Sequence, residues 1–306
     1  MKETTNVPQP FRSGFVNIIG LPNAGKSTLM NALVGERMSA ITPKPQTTRH
    51  RIVGILTGED FQVIFSDTPG YVSRPSYKMH NAMNRFVEST LEDADLMLLV
   101  IDATEDLQED NPLVEVLLKN KAPLLIVLNK MDLVQPQRAE DVANWWKKRV
   151  DVATFIGISA LKQEHTSDLL ERIIGYLPEG PAYYPLDQLT DRPERFFVSE
   201  IIREKIFMQF SDEVPYSCEV AIESFQETET NAGVPLARIY AIIFVLRETQ
   251  KAILLGKNGA AIKKLATASR EAIEAYLQTK VFLEVTIKVR DNWHDNEQSL
   301  QQFGYR

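Results

Sequence analysis

One cysteine, Cys218, stands in 306 residues, so no disulfide can close within the chain. That scarcity fits a reducing compartment, and the alternating apolar run around Cys218 marks it as a buried structural thiol. The four histidines (His50, His80, His165 and His294) are scattered without metal-ligand spacing, so no transition metal is expected. Long apolar runs are also lacking. Runs such as residues 96–101 and 124–128 fall far short of the ~20 residues that span a bilayer. They read as buried parallel strands. Residues 1–11 are polar and carry prolines, with no apolar core, so no secretory leader is expected there. An excess of basic charge is missing too. The net charge of −7 argues, taken alone, against nucleic-acid binding. Its distribution points the other way. Between Arg247 and Lys264 stand five bases (Arg247, Lys251, Lys257, Lys263, Lys264) and one acid, Glu248. A local basic patch matters more to a phosphate backbone than the global sum.

What is present, from residue 15 to about 177, is an alternation of apolar strands and amphipathic helices. Strands are expected at 15–20, 51–57, 61–67, 95–102, 123–129 and 153–159, and helices at 26–34, 76–91, 112–119, 139–148 and 166–176. This order predicts a mostly parallel sheet with helices on both faces. Ligands bind such sheets beyond the carboxyl ends of the strands. After Pro178-Glu179-Gly180-Pro181 the order becomes α-β-β-α-α-β: helices at 194–210, 250–255 and 260–277, strands at 217–227, 236–248 and 281–290. The partition is therefore a disordered start (1–11), an α/β domain (12–178), a linker (179–193), a smaller α+β domain (194–291) and a polar tail (292–306) expected to fray.

Four motifs converge on one chemistry. Gly20-Leu21-Pro22-Asn23-Ala24-Gly25-Lys26-Ser27, followed by Thr28, has the P-loop spacing between a strand and a helix. Its glycines turn backbone N–H groups toward phosphate, and the helix start adds its positive end. Lys26 suits the β- and γ-phosphates, and Ser27 a Mg²⁺ ion. Asp67-Thr68-Pro69-Gly70 ends the third strand: Asp67 would hold the Mg²⁺ shell and the Gly70 amide would sense the γ-phosphate. In Asn129-Lys130-Met131-Asp132, the Asp132 carboxylate can accept from guanine N1–H and its amino group. Adenine lacks those donors, so the nucleotide is GTP rather than ATP. Ser159-Ala160-Leu161-Lys162 would add the Ala160 amide as donor to guanine O6. Between the first helix and second strand, Gln46-Thr47-Thr48-Arg49-His50 reads as a mobile switch, with Thr48 favoured over Thr47 as the Mg²⁺ ligand. Tyr71 follows Gly70 where Ras-type proteins carry a water-orienting Gln.

In the second domain, Ile253-Leu254-Leu255-Gly256-Lys257-Asn258-Gly259-Ala260-Ala261-Ile262 has the GxxG signature of a KH domain, and the element order matches type II. The Lys257 charge, Lys263, Lys264 and the helix start after Gly259 attract phosphate, and the loop can clamp about four unpaired nucleotides. Ile253 and Ile262 would line the groove under the bases or pack the core. Trp145 and Trp146 read as a packed helix with a basic edge, the other reading being a surface-seeking helix.

Together these motifs resemble the translation-factor-related G proteins, and within them the Era family. The linker 177–181, the run 187–195 and Ile201-Ile202-Arg203-Glu204-Lys205 are similar to that family's own. The resemblance covers all but about ten residues at the start and fifteen at the end. It implies an α/β P-loop G domain followed by a type II KH domain, and a GTP-hydrolysing switch that binds the 3′ end of small-subunit rRNA and acts on the pre-30S particle. It further implies a K⁺ ion at Asn23, the alternative there being a loop cap, and loose peripheral contact with the inner membrane of a cytoplasmic protein. A monomer is expected. Two other readings stand beside it: another RNA-directed GTPase, and a non-enzymatic, nucleotide-sensing KH protein.

Overall fold

The computed structural model describes residues 10–90, 93–151, 154–230 and 232–305. Most of the expected disordered start lies outside the described residues, as do residue 91 of the expected second helix and residue 153 of the expected sixth strand. The described chain forms two compact units. One comprises residues up to Met38, Arg51–Ser73 and Asn84–Asp191. The other comprises Ser39–His50, Arg74–Met83 and the residues from Arg192 onward.

In chain order the elements of the first part are β1 (Arg12–Ile19), α1 (Lys26–Val34), β2 (Ile52–Thr57), β3 (Phe61–Asp67), α2 (Lys78–Ser89), β4 (Leu96–Asp102), α3 (Pro112–Leu117), β5 (Leu124–Asn129), α4 (Pro136–Lys147), β6 (Thr154–Gly157) and α5 (Thr166–Tyr176). The six strands form one sheet in the order β2-β3-β1-β4-β5-β6. Only β2 runs antiparallel to its neighbour. β4 and β5 are buried almost along their whole length, as strands covered on both faces must be. From β1 the chain moves to β3 on one side and then crosses to β4 on the other. The crevice of this sheet therefore opens at the carboxyl end of β1, where the P-loop begins.

The expected linker is built onto this unit. Gln62 accepts from the Tyr183 and Tyr184 amides at 2.8 and 3.0 Å. The Ile55 amide donates to the Leu189 carbonyl at 2.8 Å, and Thr190 Oγ1 donates to the Val53 carbonyl at 2.7 Å. These bonds cover the edge strand β2, whose unpaired backbone would otherwise invite association. Trp146 lies in the apolar core with Leu99, Leu128 and Val142, and the Arg149 guanidinium sits 3.7 Å over Trp145. The tryptophan pair is a packed helix face.

The second part contains α6 (Glu194–Gln209), α7 (Val214–Ser217), β7 (Glu219–Glu229), β8 (Pro235–Val245), α8 (Glu248–Leu255), α9 (Ala260–Leu277), β9 (Lys280–Val289) and α10 (Glu297–Gln302). β8 lies at the centre of a three-stranded sheet, antiparallel to β7 and parallel to β9. Its core joins Val198 and Ile202 of α6, Ile239 and Ile243 of β8, and Leu265 and Ile273 of α9. Cys218 is fully buried just before β7, and burial pushes its thiol up to about 12.

The polar tail does not fray. Trp293 is fully buried and its Nε1 donates to the Ser217 carbonyl at 3.0 Å. Asn296 caps α10 through the Ser299 amide, and Tyr305 donates to Glu219 at 2.7 Å. Composition misled here because three spaced side chains (Trp293, Leu300 and Tyr305) bury an otherwise polar segment.

Candidate functional site

The nucleotide motifs of the first unit gather at the carboxyl ends of β1, β3, β5 and β6. The P-loop runs from Gly20 to Gly25 and hands over to α1 at Lys26, with Ser27 and Thr28 in its first turn. Gly25 has φ of 93°, and a Cβ there would lie 2.1 Å from Asn129 Nδ2. Asn129 explains that closeness. Its side chain donates to the Ala24 carbonyl at 2.9 Å and accepts from the Ala160 amide at 3.0 Å. One buried amide thus ties the phosphate loop to both base-reading loops. Sequence reasoning assigned Asn129 to the nucleotide only. It also assigned the Ala160 amide to guanine O6, whereas in this structure that amide is engaged by Asn129.

Lys26 is buried, and its ammonium donates to the Gly20 and Leu21 carbonyls at 3.1 and 3.0 Å. Burial takes its pKa down to about 8, against the opposing pull of Asp67 and Glu105. Ser27 Oγ donates to Asp67 Oδ2 at 2.7 Å. Thr68 donates to the Ile18 carbonyl at 2.8 Å, fixing the turn into Pro69 and Gly70. Gly70 packs so closely that a Cβ would come within 2.8 Å of Pro22 Cα and N. Any side chain there would push the second motif off the first. Tyr71 packs against the apolar core that holds Ile19 and Leu99.

At the base-reading end, Lys130 turns in the left-handed region (φ 64°) and its ammonium pairs with the Asp102 carboxylate. Asp102 also accepts from the Thr104 amide and hydroxyl at 2.9 and 2.6 Å. This Lys130–Asp102 clasp carried no sequence signal beyond the position of Asp102 at the end of β4. Met131 packs under Gly157 of β6. The Asp132 carboxylate is held below the usual carboxylate range, first by the Ser159 hydroxyl and then by Lys162. It lies 3.5 Å from the Lys162 ammonium. A carboxylate kept ionised by two fixed partners is an acceptor ready for two donors on one base edge. Leu161 beside it is 81% exposed.

Thr48 belongs to the second unit, and Ser27 and Asp67 to the first. Thr47, its rival for the metal, donates to the Lys44 carbonyl at 2.8 Å and shares a bond with Thr42. Its hydroxyl serves its own loop.

In the second unit, Gly256 and Gly259 bracket the turn between α8 and α9, with φ of 67° and 75°. Asn258 also has positive φ, 51°. A Cβ at Gly256 would meet Ala261 Cβ at 2.7 Å, while Gly259 faces open space. Lys257, Lys263 and Lys264 are exposed. Ile253 is 51% exposed, so half of its side chain is open to solvent. Ile262 is half-buried against the domain core, so of the two apolar candidates it carries the packing role.

With both sites in view, comparison with known proteins is decisive. Residues 15–130 match the family described as 50S ribosome-binding GTPase, and residues 213–294 match the KH domain. The GTPase Era of Clostridium kluyveri is 43% identical over 296 residues, covering 96% of this chain and 99% of that protein. The chain belongs to the Era family of GTPases. The chloroplastic GTPase ERA1 of Zea mays is 44% identical over 299 residues, 96% of this chain and 70% of its own length. Two solved Era structures match at TM-score 0.90 with 34% identity, over 96% of this chain and 99% of each. One is a tyrosine-to-alanine variant of the Aquifex aeolicus protein bound to GDP·AlF₄⁻. The other is a complex with MgGDPNP and nucleotides 1506–1542 of 16S ribosomal RNA. As an Era-family GTPase, the chain hydrolyses GTP and carries a KH RNA-binding domain.

Proposed function

We propose that this chain is a GTP-driven switch that binds the 3′ end of small-subunit rRNA through its KH loop and acts in 30S assembly and maturation. One observation carries the reading. A guanine-nucleotide site and a GxxG clamp occur on one chain that matches, at TM-score 0.90, an Era holding MgGDPNP and 16S rRNA together. The breadth of the 50S description belongs to the wider GTPase family. The solved Era complex with nucleotides of 16S ribosomal RNA favours the small subunit.

Apart from Pro22, which has no N–H, the backbone amides from Gly20 to Thr28 cradle the phosphates, with the N-terminus of α1 behind them. The Lys26 ammonium exchanges its two carbonyl acceptors for phosphate oxygens. Asp132 reads the guanine edge, supported by Asn129, Lys130, Met131, Ser159, Ala160 and Leu161. Thr68 and Pro69 set the Gly70 amide as the γ-phosphate sensor. The Ser27 hydroxyl and Asp67 carboxylate, hard oxygens 2.7 Å apart, suit Mg²⁺ and would hold it, Asp67 through water, with Thr48 as the candidate third oxygen. When bound, the ion would supply positive charge that offsets the charge of the phosphates. The Tyr71 ring is committed to the core, so it does not orient the attacking water. Asn23, exposed and in the left-handed region at φ 65°, is assigned to K⁺, which offsets charge developing on the phosphates. Faster turnover in K⁺ than in Na⁺, lost in Asn23→Ala, supports that assignment; equal rates in both salts for both proteins remove it.

RNA contacts fall to Gly256, Lys257, Asn258, Gly259, Lys263 and Lys264, with Ile253 beneath the bases. The protein is placed in the cytoplasm as a monomer with weak peripheral contact at the inner membrane face. Among the described residues no helix is long and apolar enough to cross a membrane. The reading is tested by sedimentation with immature small subunits. Co-migration with pre-30S particles that depends on nucleotide supports it. Co-migration only with free tRNA or with large-subunit precursors overturns it.

A further inference from the structure

Residues 39–50 connect α1 to β2 in the chain, yet they fold as part of the second unit. Two cations hold them there. Arg49 is fully buried. Its guanidinium donates to the Cys218 carbonyl at 2.7 Å, the Pro215 carbonyl at 3.1 Å and the Tyr216 carbonyl at 3.0 Å, and it lies 3.4 Å from Glu219 Oε2. Those carbonyls close the carboxyl end of α7 and lead into β7. Lys44 does the same for α6. Its ammonium donates to the Phe207 carbonyl at 2.7 Å and to that of Phe210. Helix carboxyl ends leave carbonyls without intrahelical partners and carry partial negative charge, so both cations are seated where the backbone needs them. His50 adds a ring contact with Tyr305, centroids 4.4 Å apart.

Arg49 is also the neighbour of Thr48, the residue assigned to Mg²⁺ on the reading above. Consecutive Cα atoms lie 3.8 Å apart, so Thr48 cannot be drawn to a nucleotide without bearing on the Arg49 cage. From that cage β7 pairs along its length with β8. β8 ends at Val245, and Arg247 stands at the N-cap of α8, its amide donating to Gln250 Oε1 at 3.0 Å; α8 is the helix that enters Gly256. We propose that Arg49 is the positioning residue through which the nucleotide state reaches the RNA-binding loop, with Lys44 as a second anchor. Coupling between two ligands requires an element whose contacts differ between their states. The 44–50 segment can serve as such an element, because Thr48 answers to one ligand while the cationic side chains beside it hold the unit that binds the other.

This inference rests on the proposed GTP-controlled RNA binding, and one experiment separates the two. A fluorescent RNA copying the 3′ end of small-subunit rRNA is titrated into full-length protein loaded with GDPNP or with GDP, for wild type, Arg49→Ala, Arg49→Lys and Lys44→Met. Wild type is expected to show a ratio of affinities between the two states of about 5-fold or more. Arg49→Ala brings the ratio to within about 2-fold, since it lowers the coupling free energy itself. Arg49→Lys, whose single ammonium cannot fill the cage, gives an intermediate ratio. A merely structural defect would weaken RNA binding equally in both states and leave the ratio intact. Should Arg49→Ala fail to fold, Lys44→Met carries the same expectation in smaller degree. A wild-type ratio retained in the folded variants overturns the role of Arg49 alone. A wild-type ratio of one overturns the switch reading and this inference with it.

Discussion

Asn129→Ala removes a side chain that is 3% exposed and makes two buried bonds, one to the Ala24 carbonyl at 2.9 Å and one from the Ala160 amide at 3.0 Å. Alanine leaves both backbone groups without those partners, and each unsatisfied buried group costs about 1–3 kcal/mol. The two together cost about 2–6 kcal/mol. Part of that falls on the stability of the nucleotide-free protein and part on binding, because the phosphate loop and the base-reading loops lose their common tie. If about 3 kcal/mol falls on binding, GDP affinity drops about 150-fold. Asn129→Asp sharpens the case. It keeps an acceptor for the Ala160 amide but sets a carboxylate oxygen against the Ala24 carbonyl, so it should bind GDP no better than the alanine variant. Calorimetric titration with GDP and thermal unfolding without nucleotide read the two parts. Asn129→Ala that binds GDP within about 3-fold of wild type and unfolds at the wild-type temperature would refute the tie.

Three further outcomes are expected. Lys26 has a pKa lowered by burial to about 8, below its ordinary 10.5. The unfolded chain therefore holds the proton more tightly, and nucleotide-free stability rises with pH between about 8 and 10.5. Phosphate restores the charged form, so GDP binding takes up a proton above pH 8 and weakens as pH climbs, which calorimetry in buffers of different ionisation enthalpy will show. His80 sits at about 4, lowered first by burial and then by Arg49 and His294. Its neutral ring stabilises the fold above pH 6.5, and that contribution is lost as pH falls from 6.5 toward 4. Proton NMR should give the His80 ring a midpoint well under 6, and a midpoint near 6.5 would contradict the packing. Trp293→Ala should cost about 3–5 kcal/mol, because Trp293 is fully buried and bonded to Ser217. A denaturant midpoint equal to wild type would return the carboxyl-terminal segment to the frayed state expected from its composition.

The nucleotide site was legible in the sequence because each motif is local. Gly20 to Ser27, Asp67 to Gly70, Asn129 to Asp132 and Ser159 to Leu161 each sit at the end of a strand whose apolar run is plain. Periodicity also gave α9 and β9 within one residue of their observed ends, and β8 within three. What escaped was long-range. Asn129 bonding to Ala24 joins residues 105 apart in sequence, and Arg49 bonding to Cys218 joins residues 169 apart. No local pattern encodes such pairings. Arg49 read as part of a polar switch loop because its charge is solvated by backbone carbonyls rather than by a carboxylate run visible nearby. The tail escaped for a related reason: Trp293 and Tyr305 find their partners at Ser217 and Glu219, far back in the chain.

The central claim is that a GTP-dependent switch acts on the 3′ end of small-subunit rRNA through the loop at Gly256–Gly259. The most direct test is the affinity of the GDPNP- and GDP-loaded protein for that RNA and for a scrambled RNA of equal length, at one fixed salt concentration. Gly259→Asp is the control. Its Cβ has open space, and Asp is among the residues that tolerate positive φ, so the variant folds while its carboxylate repels the clamped phosphate. The account expects preference for the true 3′ end, different affinities in the two nucleotide states, and loss of both in Gly259→Asp. Equal binding to true and scrambled RNA, unchanged in Gly259→Asp, would contradict it.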